Sequence, residues 1–121
     1  MRVFKNTWFT RFAAKEGITD AELREAVNLL EAGQADADLG GGVFKVRVAR
    51  PGEGKAGSYR VIVFFKSEER AFFVYGFAKS DRANIDRGEL HGFKADARTD
   101  LSLTDEQIRD RVRKGSLIEI L

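Results

Sequence analysis

The alternation of apolar and polar residues between positions 40 and 79 predicts three consecutive β-strands. Val43–Ala49 alternates along its length, as expected of a strand with one buried face. Tyr59–Phe65 is apolar on both faces apart from one arginine, which is typical of a central strand covered on both sides. Ala71–Ala78 is aromatic and β-branched, a composition that favours a pleated sheet. These three strands are therefore predicted to form the core of the sheet.

The connections between these strands differ in length and composition. Lys66–Arg70 is a short polar turn, so the second and third strands are predicted to form an antiparallel hairpin. Arg50–Gly57 contains three glycines and the only proline of the chain, and it is predicted to be a longer, mobile loop. Ala35–Gly42, which ends in three glycines, is interpreted as a linker into the first of these strands.

The N-terminal part predicts a short strand and two helices. Met1–Lys5 has a β-type pattern and is interpreted as an edge strand. Thr7 is predicted to cap a helix that reaches about Glu16, and the box of Thr19 and Glu22 predicts a second helix that ends at Gly33. Apolar residues recur at helical spacing along one side of each helix: Trp8, Phe9, Phe12, Leu23, Ala26, Val27 and Leu30. That spacing assigns Trp8 and its neighbours to the core rather than to a base-stacking surface.

The C-terminal part returns to a helical pattern and ends in a strand-like segment. A helix is predicted from Asp86 to about Ala97, and Thr104 is predicted to cap another helix that ends at Gly115. Leu117–Leu121 is predicted to be a terminal strand.

These elements predict one α+β domain over residues 1–121, built on a twisted antiparallel β-sheet. An edge strand and a helical hairpin occupy residues 1–34, the sheet core residues 40–79, and C-terminal helices with a possible terminal strand residues 80–121. The N-terminal helical hairpin is expected on one face of the sheet. The other face is expected to be concave, basic and partly covered by the C-terminal helices.

Composition excludes several classes of site. The chain has no cysteine and one histidine, so a disulfide framework, a thiolate metal site and a Ser-His-Asp triad are not expected. The acidic residues Asp81, Asp86 and Glu89 are dispersed, and neither a metal nor a cofactor is predicted. No apolar run has the length of a membrane span, and no signal-peptide pattern is present, so the cytoplasm is the expected location. His91, in a predicted helix, is interpreted as a surface side chain.

The positive charge is concentrated in the first two strands of the sheet core. Residues 45–60 contain five basic residues and one acidic residue, a net charge of +4, whereas the whole chain carries +2. The remainder of the chain therefore sums to −2. Such a cationic segment on an otherwise balanced protein indicates a polyanionic partner.

Three sequence segments resemble the RelE/ParE toxin superfamily, most closely its RelE/HigB-type branch. They are GGVFKVRVA at residues 41–49 with its continuation through Gly52, Gly54-Lys55, Gly57 and Tyr59-Arg60, then FFVYGFAKSDRANI at residues 72–85, and GSLIEI at residues 115–120. The resemblance implies a RelE-like fold and the toxin of a type II toxin–antitoxin pair. It also implies a ribosome-dependent endoribonuclease that cleaves translated mRNA, with a cognate antitoxin of helix-turn-helix type. Because no metal site is predicted from the residues, this enzyme is expected to be metal-independent.

Five residues are the candidates for catalysis: Lys45, Arg47, Arg60, Tyr75 and Lys79. Cleavage by the 2′-hydroxyl needs a base, an acid and cations on the pentavalent phosphate, and lysine and arginine supply the cations. A lysine whose pKa is lowered by neighbouring positive charge could also be the base. The resemblance places the catalytic arginine at Arg60. Tyr75 is a candidate for stacking or proton transfer, and Lys79 for phosphate contact, because both have the same parity on the third strand.

Each assignment has a structural alternative. Lys45 and Arg47 could form a solvated strand face, Arg60 could reach solvent at the mouth of its strand, and Tyr75 could be a partly buried sheet aromatic. Arg50 and Lys55 in the glycine-rich loop are interpreted as contacts to ribosomal RNA. The alternative is that they are solvent-exposed loop residues without a partner. Two other functions stay open: a ParE-like toxin that inhibits DNA gyrase, and a non-catalytic RNA-binding module.

Overall fold

The computed structural model describes residues 1–50 and 54–121, and the side chains of all of these except residues 50 and 54–56. Strands and helices alternate in blocks along this part of the chain. The strands are β1 (Arg2–Asn6), β2 (Ala37–Gly40), β3 (Val43–Arg50), β4 (Gly54–Lys66), β5 (Arg70–Ala78) and β6 (Leu117–Ile120). The helices are α1 (Thr7–Glu16), α2 (Asp20–Glu31), α3 (Arg87–Asp100) and α4 (Asp105–Arg113).

The strands of the described chain form one sheet in the order β2-β3-β4-β5-β1-β6. Neighbours are antiparallel except β1 and β5, which are parallel. The predicted hairpin of β4 with β5 and the predicted terminal strand are both confirmed. The interpretation of β1 as an edge strand is wrong, because β6 pairs with it in antiparallel register, with Val3 opposite Ile120, and takes the edge position instead.

Helices cover both faces of the sheet, which confirms the predicted α+β fold with a helical hairpin on one side. Helices α1 and α2 bury one face in a cluster that includes Phe9, Leu23, Val46, Val61 and Phe73. The C-terminal helices pack on the other face, in a second cluster that includes Phe4, Ile62, Phe64, Phe72 and Ile108. This second face is also the face of the basic residues of β3.

Strand β4 is central and doubly covered, as predicted. Its residues 61–65 alternate between the two clusters, and none of them is more than 8% exposed. Complete burial of a Val, Ile or Phe side chain contributes about 1.5–3 kcal/mol, so this segment is a major source of fold stability. In β3 the predicted alternation is confirmed: Val46 and Val48 are buried against the α1–α2 layer, while Lys45 and Arg47 project to the opposite side.

Helix α1 begins one residue earlier than predicted and presents one of its aromatic residues to solvent. Asn6, not Thr7, is the N-cap; its side-chain oxygen accepts from the Phe9 N–H at 2.7 Å. Trp8 is 44% exposed, so its assignment to the core is wrong. Its ring lies against Tyr75, with the ring centroids 4.5 Å apart. The next aromatic residue on this side, Phe12, is half-buried over Gly76, where a Cβ would meet the Phe12 ring at 2.6 Å.

Two segments predicted to be irregular contain strand residues. Within the predicted linker Ala35–Gly42, residues 37–40 form β2, with Ala37 opposite Lys45 of β3. Three glycines with positive φ, at residues 40–42, make the tight connection between these strands. Within the predicted loop Arg50–Gly57, β3 extends to its first residue and β4 starts at Gly54, while residues 51–53 lie outside the described part. Pairing with a neighbouring strand overrides the weak strand propensity of both segments.

None of the helices in the described part of the chain has both the length and the apolar character needed to cross a membrane.

Candidate active site

The basic residues of the sheet face are brought together by strand register. Arg47 on β3 lies opposite Arg60 on β4, and Arg60 in turn lies opposite Phe77 on β5. Lys45 precedes Arg47 by two residues and therefore lies on the same face. Cations from adjacent strands thus lie side by side on the face opposite the α1–α2 layer.

A β-bulge in β5 decides which of its side chains join this face. Tyr75 lies opposite Ile62, whereas Phe73 lies opposite Val63, so Val74 is an extra residue in the pairing. An extra residue reverses the alternation of side chains beyond it. Without the bulge Tyr75 would have the parity of Phe73 and face the α1–α2 layer. With the bulge, Tyr75 and the residues two and four positions later face the basic side.

Six described residues line a polar depression of about 340 Å³ on this face, here called the basic depression: Asp36, Lys45, Arg47, Arg60, Lys79 and Ala83. Four of these are cationic and one is anionic, so the lining carries a net charge of +3 at neutral pH. The structure therefore brings together four of the five residues proposed for catalysis. Concentrated charge of one sign in a concave surface raises the local concentration of a polyanion.

Arg60 is the most buried cation of the basic depression. Its side chain is 8% exposed, which differs from the alternative of an arginine that reaches solvent at a strand mouth. Its Nη1 donates to Ser58 Oγ at 2.7 Å, and its Nε lies 3.5 Å from Asp36 Oδ2. Because a buried guanidinium is costly unless it is paired and hydrogen-bonded, these two contacts are what allow Arg60 to occupy a central strand. They also fix the direction of its remaining N–H donors.

Arg47 shares the same carboxylate but is more open to solvent. Its Nε lies 3.7 Å from Asp36 Oδ2, and its side chain is 39% exposed. Neither Asp36 nor Ser58 was singled out by sequence reasoning. Asp36 falls in the segment interpreted as a linker, and its proximity to the arginines becomes evident only once the pairing of β2 with β3 is known.

The two lysines of the basic depression are held less firmly. Lys45 Nζ approaches Asn84 Oδ1 at 3.5 Å, at the limit of a hydrogen bond, and its backbone is fixed within β3. Lys79 follows the end of β5, and its N–H donates to the Ser58 carbonyl oxygen at 3.3 Å. The Lys79 side chain is exposed and makes no ion pair with any residue that the structure describes. Both ammonium groups can therefore turn toward a bound anion.

Tyr75 lies on the same face but does not line the basic depression. It is half-buried, and its ring packs near Trp8 at 4.5 Å and Phe93 at 5.7 Å. Its hydroxyl oxygen lies 3.2 Å from Nη1 of Arg82, which donates to it. Tyr75 therefore lies outside the basic depression, which the other four candidates line. Its hydroxyl is held in place by the hydrogen bond from Arg82.

Arg82 and Glu89 form a bidentate ion pair beside Tyr75, here called the clamp, that sequence reasoning did not identify. Arg82 donates to both carboxylate oxygens of Glu89, at 2.6 and 3.1 Å. These hydrogen bonds raise the pKa of Arg82 and lower the pKa of Glu89, because each charge stabilises the other. Arg82 also lies over the Phe77 ring, 5.4 Å from its centroid. The clamp holds the segment after β5, which carries Ala83 of the basic depression.

The remaining assignments concern residues outside this cluster. The side chains of Arg50 and Lys55, predicted to contact ribosomal RNA, lie outside the described residues. His91 is exposed on α3, in agreement with its interpretation as a surface residue. Among the described residues no group of three or more histidine, cysteine or carboxylate side chains is placed to hold a metal ion.

A basic depression with one buried, hydrogen-bonded guanidinium group, a second guanidinium beside it and two adjustable ammonium groups is suited to a phosphate. A guanidinium can donate two parallel hydrogen bonds to phosphate oxygens, and lysine contributes a point charge. Such groups stabilise a pentavalent phosphate more strongly than its ground state, because the negative charge increases in the transition state.

Comparison with protein-family models matches residues 1–120 to the RelE toxin of the RelE/RelB toxin–antitoxin system. The chain belongs to the RelE toxin family. The match extends over the N-terminal helices as well as the three segments that carried the resemblance. A comparison with curated proteins gives no significant match. The basic depression is the part of this toxin's structure that bears on its chemistry.

Proposed function

We propose that this RelE-family toxin is an endoribonuclease that cleaves translated mRNA in the ribosome, in the cytoplasm. The observation that carries the proposal is the convergence of Lys45, Arg47, Arg60 and Lys79 on one depression. In the reaction, the 2′-oxygen loses its proton and bonds to the adjacent phosphorus. The bond from phosphorus to the 5′-oxygen then breaks, and that oxygen takes up a proton. The products are a 2′,3′-cyclic phosphate and a 5′-hydroxyl.

The residues divide into fixed and adjustable groups. Arg60, buried and hydrogen-bonded, is assigned to the non-bridging oxygens of the phosphorane, with Arg47 beside it. Lys45 and Lys79 supply adjustable positive charge to the phosphates. Tyr75 is our candidate for proton transfer, because its hydroxyl lies on this face and is oriented by Arg82. Preorganised donors of this kind contribute more in a partly dry site than in water.

Dependence on the ribosome follows from the weak acid–base chemistry of the chain. Its one histidine does not line the basic depression, and the lining consists mainly of cations. The ribosome would hold the mRNA with its 2′-hydroxyl in line with the scissile bond, and orientation of reactants can contribute about 7–11 kcal/mol. Free RNA, which lacks that orientation, is expected to be cleaved negligibly.

The toxin family implies an antitoxin partner. We propose that this antitoxin neutralises the toxin by covering or distorting the basic depression with an acidic or helical segment. The helix-turn-helix type expected of the partner from the resemblance remains a prediction. Co-expression with the neighbouring small open reading frame should give a stable complex and relieve growth arrest.

The decisive test is a purified translation system in which mRNA 5′ ends are mapped after addition of the toxin. We expect cleavage of ribosome-bound mRNA with a chelator present, and little cleavage of free RNA. Arg47→Ala should reduce cleavage strongly. Lys15→Ala, which removes an equal charge from the last turn of α1 on the opposite layer, should not. Absence of mRNA cleavage together with inhibition of gyrase supercoiling would replace this proposal by the gyrase alternative.

A further inference from the structure

Asp36 is the only negatively charged residue among the described residues that line the basic depression. It directly precedes β2, and the pairing of β2 with β3 places it beside the arginines. A single oxygen, Oδ2, is the atom of closest approach to Arg60 Nε at 3.5 Å and to Arg47 Nε at 3.7 Å. The Asp36 side chain is 23% exposed, so the ion pair is only partly screened by water.

This carboxylate offsets two unfavourable electrostatic effects in the sheet. Arg47 and Arg60 are directly opposite each other on adjacent strands, and like charges in this position destabilise a sheet. Arg60 is also buried, which adds the cost of removing a charge from water. Asp36 compensates both effects at once, since it lies within ion-pair distance of the two guanidinium groups.

The same two guanidinium groups are the donors that a phosphate would use. We propose that Asp36 is an internal counter-ion of the phosphate site, which positions Arg47 and Arg60 in the free protein and competes with RNA phosphate for them. The proposal rests on the proposed function for the identity of the ligand. It concerns a residue that does not itself react, so Asp36 is a positioning residue.

The contacts leave room for the phosphate to bind while Asp36 stays in place. Asp36 approaches both arginines through Nε, and Arg60 additionally uses Nη1 to bind Ser58. A guanidinium has five N–H donors, so donors on the Nη atoms remain for phosphate oxygens. The competition is therefore electrostatic, because the carboxylate weakens the attraction of both arginines for the single negative charge of a ground-state phosphate. The phosphorane carries two negative charges, so the guanidinium groups attract it more strongly than the ground state.

Removing the charge of Asp36 should therefore have opposite effects on binding and on rate. Asp36→Asn should bind phosphate and RNA more tightly, because the guanidinium groups lose their competitor. It should cleave more slowly at saturation, because Arg60 and Arg47 lose the group that aims them. A structural ion pair without a role in the site would not produce this opposition.

The experiment compares the wild-type toxin with Asp36→Asn, Asp36→Glu and the control Asp81→Asn. Asp81 is an exposed carboxylate two residues after Lys79, so its removal changes the net charge equally. Affinity is measured by fluorescence anisotropy with a short RNA whose scissile position carries a 2′-deoxyribose. We expect about tenfold tighter binding for Asp36→Asn and about a ten- to hundredfold lower single-turnover rate on the ribosome. Asp36→Glu should keep the wild-type affinity and recover part of the rate, and Asp81→Asn should change neither by more than about twofold.

A second measurement does not depend on RNA cleavage. Inorganic phosphate should raise the melting temperature of Asp36→Asn more than that of the wild type or Asp81→Asn, because it replaces the missing carboxylate. If this holds while no variant cleaves mRNA, the counter-ion role stands and the proposed nuclease does not. Equal phosphate stabilisation of wild type and Asp36→Asn would overturn the counter-ion role. A lower rate with unchanged RNA affinity would also overturn it, in favour of a direct proton-transfer role for Asp36.

Discussion

Replacement of Arg60 by alanine is the most informative single change to the proposed nuclease. The guanidinium is held by Ser58 and Asp36 and has little freedom to turn, so in the proposed mechanism it is a fixed donor to the phosphorane. Loss of one such preorganised donor typically costs about 10²–10³ in rate, or about 2.7–4 kcal/mol. Arg60→Ala should therefore nearly abolish cleavage, while Arg60→Lys, which keeps the charge but loses the fork, should recover only part of it.

The burial of Arg60 changes what is expected for folding. For an arginine that reaches solvent, the alanine variant would unfold like the wild type. Here the side chain is 8% exposed, and one charge-assisted hydrogen bond and one ion pair are lost, so we expect a stability loss of about 1–3 kcal/mol and a melting temperature several degrees lower. Arg60→Lys keeps a positive charge beside Asp36, so its stability should lie between those of the wild type and Arg60→Ala.

The assay must therefore separate catalysis from folding. Single-turnover cleavage is measured with ribosome–mRNA complexes in excess over toxin, at a temperature at which thermal unfolding shows every variant to be folded. Affinity for the complex is measured in parallel and should change much less than the rate. Wild-type cleavage by Arg60→Ala under these conditions would show that Arg60 is a structural residue and that the site is wrongly assigned.

Three further predictions concern the loop, an ion pair and a glycine. Arg50→Ala and Lys55→Ala should weaken ribosome affinity and reduce its salt dependence without changing the rate at saturation, as measured by titration at several salt concentrations. The hydrogen bonds from Arg2 lower the pKa of Glu119, so this pair stabilises the fold at neutral pH and the contribution disappears as pH falls through that lowered pKa. Glu119→Gln should therefore lower stability at pH 7 by up to about 1 kcal/mol and leave it unchanged in strong acid, as followed by urea unfolding. Gly76→Ala should destabilise the fold by about 1–3 kcal/mol, because the added Cβ would approach the Phe12 ring of α1 to 2.6 Å. Thermal unfolding measures this loss.

The alternation of apolar and polar residues was enough to predict most of the sheet and the placement of Lys45 and Arg47 on one face. A buried face forces strict placement, so the register of Lys45 and Arg47 could be deduced from the apolar residues between them. The cap box of Thr19 and Glu22 likewise fixed the start of α2, since both of its hydrogen bonds are local.

Features that depend on distant pairing could not be deduced in this way. Whether Tyr75 and Lys79 face the same side of the sheet as Lys45 and Arg47 depends on the bulge at Val74, which no local sequence pattern predicts. Strand β2 has a sequence of low strand propensity and exists because β3 pairs with it, so Asp36 could not be connected with the arginines. Trp8 has the helical spacing of the buried residues of α1, but spacing alone does not show which residues near the helix end remain exposed to solvent.

The position of β1 also bears on how the toxin is made. This strand is the first of the described strands, yet its antiparallel neighbour β6 is the last of them, and the side chains of Arg2 and Glu119 that bond across them are 117 positions apart. Contacts over so long a separation form slowly and only after both segments are available. A nascent toxin chain that is still short of residue 120 therefore cannot complete its sheet.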